Sequence, residues 1–160
     1  MTQDSEQRDG RWARLAGLSG GLVAVAALAI LVFYCTSLYE LLPAALTQSN
    51  PVKPNTALCL LLLGLTVVTN SGDQTTSRRL STLLLLPPLI IALATLWEYA
   101  SGWDAGIDGL LVAGRSWDHP VRMLPSTAVC LGLLSAALLL PRDATAAARS
   151  ALLMGAVGLA

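Results

Sequence analysis

Apolar residues fall in four long runs, at about 15–37, 55–69, 80–99 and 123–140, and a fifth run begins after Arg149. The charged residues sit between these runs rather than within them, except Glu98 near the end of the third. Crossing hydrocarbon takes about 20 mainly apolar residues per helix, because there every backbone amide must be paired within its own segment. The runs therefore predict transmembrane helices, the second of them near the lower limit of length. The fifth reaches only Ala160, about half a span, so the pattern predicts a polypeptide that continues beyond it.

Two of the runs open on the same phrase. Pro54 Asn55 Thr56 Ala57 Leu58 Cys59 Leu60 returns as Pro125 Ser126 Thr127 Ala128 Val129 Cys130 Leu131, at an offset of 71 residues. Arg78 and Arg149 stand at the same offset, each at the head of an apolar run. The sequence thus reads as a repeated two-helix unit: an outward helix headed by basic residues, an external loop, and an inward helix opened by Pro, Asn or Ser, Thr, Ala. Residues 14–70 form one copy and 78–141 the next, pointing the same way, unlike the inverted repeats of many secondary transporters. The predicted fold class is all-α, a polytopic transmembrane bundle with a parallel internal repeat. Residues 1–14 are its cytoplasmic N-terminal segment and 15–160 its membrane domain.

Composition agrees, with 54% hydrophobic and only 12% charged residues. Basic residues near helix ends are retained in the cytoplasm. With the N-terminus inside, Arg8, Arg11, Arg14, Arg78, Arg79, Arg142 and Arg149 all fall inside, leaving Lys53, Arg115 and Arg122 outside. The outer segment also carries Asp104, Asp108 and Asp118. Aromatic residues gather at the outer ends (Phe33, Tyr34, Tyr39, Trp97, Tyr99, Trp103), where amphipathic rings favour headgroups, and Trp12 belongs to the inner surface. The first run is too long for a signal-peptide core and lacks an Ala-x-Ala exit. Cys35 follows the bulky Phe33 and Tyr34, which disfavours lipid modification, and a net charge of zero offers no basic patch for nucleic acid.

Polar groups near the apolar runs are few. Asn55 and Ser126 suit helix N-caps, with Thr56 and Thr127 sharing the role, which is the structural reason for the repeated phrase. Two helix N-termini on the same side also present hydroxyls and partial positive charge, a pocket for an anionic or carbonyl group. Glu98, between Trp97 and Tyr99, is the carboxylate nearest an apolar core, at an outer helix end where it is expected to reach water. Cys59 and Cys130 lie at matching positions and read as packing residues, since no histidine accompanies them as a metal set. Gly17 and Gly21 have the spacing that lets helix backbones approach. Asp104 and Asp108 lack the acid between them that a calcium loop needs, and His119 beside Asp118 is a candidate sensor of external pH. No nucleotide-binding glycine loop, GxSxG or HExxH occurs.

The segment Lys53 to Leu65, the segment Arg122 to Ala128, and between them Trp97 Glu98 Tyr99 and Gly102 Trp103 Asp104 Ala105 Gly106 Ile107 Asp108 together resemble the N-terminal multi-helix membrane region of bacterial sensory proteins. The resemblance covers about residues 15–160. In that family such repeats precede PAS, histidine kinase or diguanylate cyclase modules, none of which occurs in this sequence. It implies a multi-pass protein of the bacterial inner membrane that senses a small-molecule or lipid signal and forms homodimers through a cytoplasmic output region. Catalytic residues, metal ligands and a cofactor are not assigned. Asn55, Thr56, Ser126, Thr127 and Glu98 are the candidate ligand-binding residues. The alternatives are a small transport or scaffold subunit, disfavoured by the near absence of charge inside the helices, and a lipid-acting enzyme, for which Glu98 and His119 are the sole candidate pair.

Overall fold

The computed structural model describes residues 3–36, 52–71, 74–104, 106–107, 122–140 and 146–158. These residues form five helices: α1 (Gln3–Cys35), α2 (Pro54–Asn70), α3 (Gln74–Ser101), α4 (Pro125–Leu139) and α5 (Ala146–Gly158). There is no strand among the described residues. The helices extend outward past the apolar runs at several ends, most of all at the start of α1, because helix propensity and end capping set a boundary rather than hydrophobicity alone.

Each helix packs on the one before it, in the order α1, α2, α3, α4, α5, with a small further contact between α2 and α4. The neighbours run antiparallel. A Cβ on Gly17 would meet Ser71 and one on Gly20 would meet Val67, so α2 climbs as α1 descends. Ser81 donates to the Asn70 side-chain oxygen at 2.7 Å where α3 starts beside the end of α2. Tyr99 reaches Met123, which leads into α4, and Cys130 of α4 contacts the Ala156 carbonyl of α5 at 3.1 Å.

Small residues bring α1 and α2 together. The buried positions of α1 are Gly20, Ala24, Ala27 and Tyr34, which share one helical face. At the closest point an added Cβ on Gly64 would lie 2.7 Å from the Gly20 carbonyl oxygen and 2.9 Å from the Ala24 amide nitrogen. The expectation for Gly17 and Gly21 is corrected accordingly. Gly17 does face Ser71, but Gly21 has only Val68 near it, at 3.9 Å, and the intimate pair is Gly20 with Gly64.

The apolar core joins Cys59 and Leu63 of α2, Leu85 and Ala92 of α3, and Met123, Ala128 and Leu131 at α4. On α3 the buried positions are Ser81, Leu85, Pro88, Ala92, Thr95 and Glu98, a seam spaced by threes and fours. The opposite face is exposed from Arg79 through Leu83, Leu86, Ile90 and Leu93 to Trp97. On α1 the exposed stripe runs from Arg11 through Leu15, Leu18, Leu22 and Val25 to Val32. Two helical stretches, Gly10–Cys35 and Arg78–Ser101, are long and apolar enough to cross a membrane, while α2 and α4 are shorter apolar helices. Pro87 and Pro88 lie inside α3, where they leave the carbonyls of Leu83 and Leu84 without their usual in-helix donors.

Candidate functional site

A polar cluster forms where α3 ends, α2 begins and the chain enters α4. Gly102 sets its geometry. With φ at +69° it takes the left-handed conformation that terminates a helix, and its amide donates to the Glu98 carbonyl at 3.0 Å. Gly106, also left-handed at φ +72°, turns the chain again, its amide donating to the Asp104 side chain at 2.9 Å. Asp104 therefore serves a turn. The following Ile107 carbonyl is brought over the start of α2, where the Asn55 side-chain amide donates to it at 3.3 Å.

Both repeated phrases start their helices alike, but not as expected. The N-cap residues are Lys53 (φ −69°, ψ 149°) and Leu124 (φ −67°, ψ 144°), each followed by proline at the first helical position, and neither cap makes a side-chain bond. Asn55 and Ser126 stand one residue inside the helix, so neither is the N-cap. Proline explains the shift: its fixed φ suits the first turn, and it has no amide hydrogen to be capped. Asn55 is buried and turned to the loop after α3, Thr56 and Thr127 are half-buried, and Ser126 is exposed.

Glu98 also departs from expectation. It does not reach water, because its side chain is 0% exposed and paired with Arg122 at 3.0 Å between Oε2 and Nη2. Arg122 is 33% exposed and lies 5.0 Å from the Tyr99 ring centroid, within cation–π range. The Tyr99 hydroxyl donates to the Met123 carbonyl at 3.1 Å, holding the ring against the segment that enters α4. One turn inside Glu98, on the same buried seam, Thr95 is fully buried and its hydroxyl has no hydrogen-bond partner among the described residues. Thr66, Thr82 and Ser135 instead return their hydroxyls to the carbonyl four residues back.

The structure brings Glu98 together with Arg122 and Tyr99, none of the three reached through the repeated phrase, and ties Asn55 to the same loop. The sequence pattern alone does not mark Arg122, Tyr99 or Thr95 for ligand binding. Thr95 is legible from its spacing of three before Glu98, and Arg122 from its place where an antiparallel partner of Glu98's helix must begin. Cys59 is buried in the core and Cys130 turns to α5, both free thiols serving different interfaces. Asp108, Arg115, Asp118 and His119 lie outside the described residues. No protein-family model, curated protein or solved structure matches the chain.

Proposed function

We propose that the chain is the membrane-embedded sensory and anchoring module of a bacterial signal-transduction protein, lying in the inner membrane with its N-terminus in the cytoplasm. The observation that carries this reading is the Glu98–Arg122 pair, in which a carboxylate is held wholly inside the bundle at the end remote from Arg11, Arg14, Arg78 and Arg79. Ionisable groups in such places are costly and tend to mark function. Here the pair and the Tyr99–Met123 bond tie the end of α3 to the segment that enters α4, and the Asn55–Ile107 bond ties the chain after α3 to the start of α2. A signal that draws on Arg122 or on the loop shifts these helices relative to one another. A change of that kind biases a cytoplasmic output, for which the family resemblance suggests a PAS, histidine kinase or cyclase region working as a homodimer. The two-helix repeat fits the same reading, since its two openings share one backbone geometry.

The ligand-contact set under this reading is Asn55, Thr56, Ser126, Thr127 and Glu98, with Arg122 and Thr95 added. In a protein that carries the proposed output region, T56V/T127V is expected to leave insertion intact and to reduce signal-dependent autophosphorylation or cyclic dinucleotide synthesis severalfold. Unchanged output with normal insertion would overturn the assignment. Reading the coding sequence past Ala160 supplies the companion test: a further inward helix followed by an output region supports the sensor, and a stop codon there favours the free-standing membrane subunit.

A further inference from the structure

The opposite end of the bundle carries a second, distinct feature. Gly17 lies level with Ser71, and Ser81 lies level with Asn70, so α1 and α3 are in register on either side of the end of α2. Three residues beyond those levels, about 4.5 Å along each helix, come Arg14 and Arg78. Arg11, Arg14, Arg78 and Arg79 are all exposed, and among the described residues none of them makes a salt bridge. The acidic residues nearest in sequence on α1, Asp4, Glu6 and Asp9, precede Arg11 and so lie farther along the helix from its apolar stripe.

Each exposed apolar stripe begins at one of these arginines. From Arg79 to Trp97 the α3 stripe measures roughly 27 Å, and from Arg11 to Val32 the α1 stripe measures roughly 32 Å, both close to the thickness of bilayer hydrocarbon. Exposed guanidiniums at the head of an apolar stripe match one chemical object, a phosphate carried on acyl chains. A guanidinium offers a fork of donors suited to phosphate oxygens.

We propose that Arg11, Arg14, Arg78 and Arg79 bind the phosphates of anionic phospholipids in the leaflet at this end, with acyl chains lying along the α1 and α3 stripes. The inference rests on the membrane reading above, and it names a partner which that reading leaves open. Trp12 adjoins Arg11 and is exposed, which makes it a local reporter.

The test uses the whole chain with Trp97, Trp103 and Trp117 replaced by phenylalanine, reconstituted in mixed phosphatidylglycerol and phosphatidylcholine vesicles. Either lipid is brominated near its carbonyl end, and quenching of Trp12 gives their relative association. A preference for phosphatidylglycerol of roughly fivefold is expected, as follows from the usual contribution of one basic residue near an anionic surface. It should fall to near unity in R11Q/R14Q/R78Q/R79Q, be reduced but retained in the matching lysine variant, which keeps the charge and loses the fork, weaken at high salt and survive added inorganic phosphate. Equal quenching by both lipids would overturn the lipid site and leave the membrane reading standing. Quenching by neither would overturn both, and loss of the preference with free phosphate would show a site for the soluble ion instead.

Discussion

Replacing Arg122 with glutamine while Glu98 stays in place is expected to destabilise the bundle by about 3–5 kcal/mol, the usual cost of removing one member of a buried ion pair. The value should fall in the lower half of that range, because Arg122 is 33% exposed and already shares its charge with solvent. The Glu98 side chain is 0% exposed, so it bears the larger part of the penalty. Losing the cation over the Tyr99 ring adds about 0.5–1 kcal/mol. The double variant E98Q/R122Q should be closer to the parent than R122Q, since two neutral amides need no compensating charge. Unfolding of the parent, the two single variants and the double variant in mild detergent measures the coupling directly. If R122Q and E98Q/R122Q were equally unstable, Arg122 would be acting on something other than Glu98.

The second large effect concerns the contact of α1 with α2. In G64A the new methyl carbon would sit 2.7 Å from the Gly20 carbonyl oxygen and 2.9 Å from the Ala24 amide nitrogen, both backbone atoms that cannot move aside alone. The two helices must separate, at an expected cost of about 1–3 kcal/mol, which is typical of overpacking. G64L should cost more. G21A serves as the control, because its Cβ meets only Val68 at 3.9 Å and helix propensity favours alanine by up to about 1 kcal/mol. Opposite signs for G64A and G21A in the same unfolding assay are the expected result. Equal effects would mean that the helices do not meet through Gly20 and Gly64.

The helices were legible because long apolar runs bounded by charge leave few alternatives. The site was less so. Asn55 and Ser126 have the composition of N-caps, yet proline before each moved the cap to Lys53 and Leu124. For Glu98 the sequence predicts an outer end with access to water, since sequence position gives depth along a helix but not the azimuth that turns a side chain inward. Its partner lay 24 residues away, and only the antiparallel pairing of α3 with α4 brings Arg122 to it. The glycine contact escaped for a related reason. Spacing within α1 pointed to Gly17 and Gly21, but which face meets α2 is decided by Gly64, on a different helix.

The account depends on a bundle that crosses the membrane and turns the Glu98–Arg122 end outward, where a signal can reach it. Native Cys35 stands exposed at the end of α1, whereas Cys59 is buried in the core and Cys130 faces α5. An added side chain at Gly10, near the opposite end of the same helix, meets nothing. Labelling with a membrane-impermeant maleimide in intact cells, in a C59S/C130S background, therefore separates the two ends. The predicted result is that Cys35 reacts without permeabilisation, while the thiol of G10C/C35S reacts only after the cells are opened. Reaction of both thiols on the same side, or of Cys35 only after opening, would contradict the topology on which the sensory reading stands.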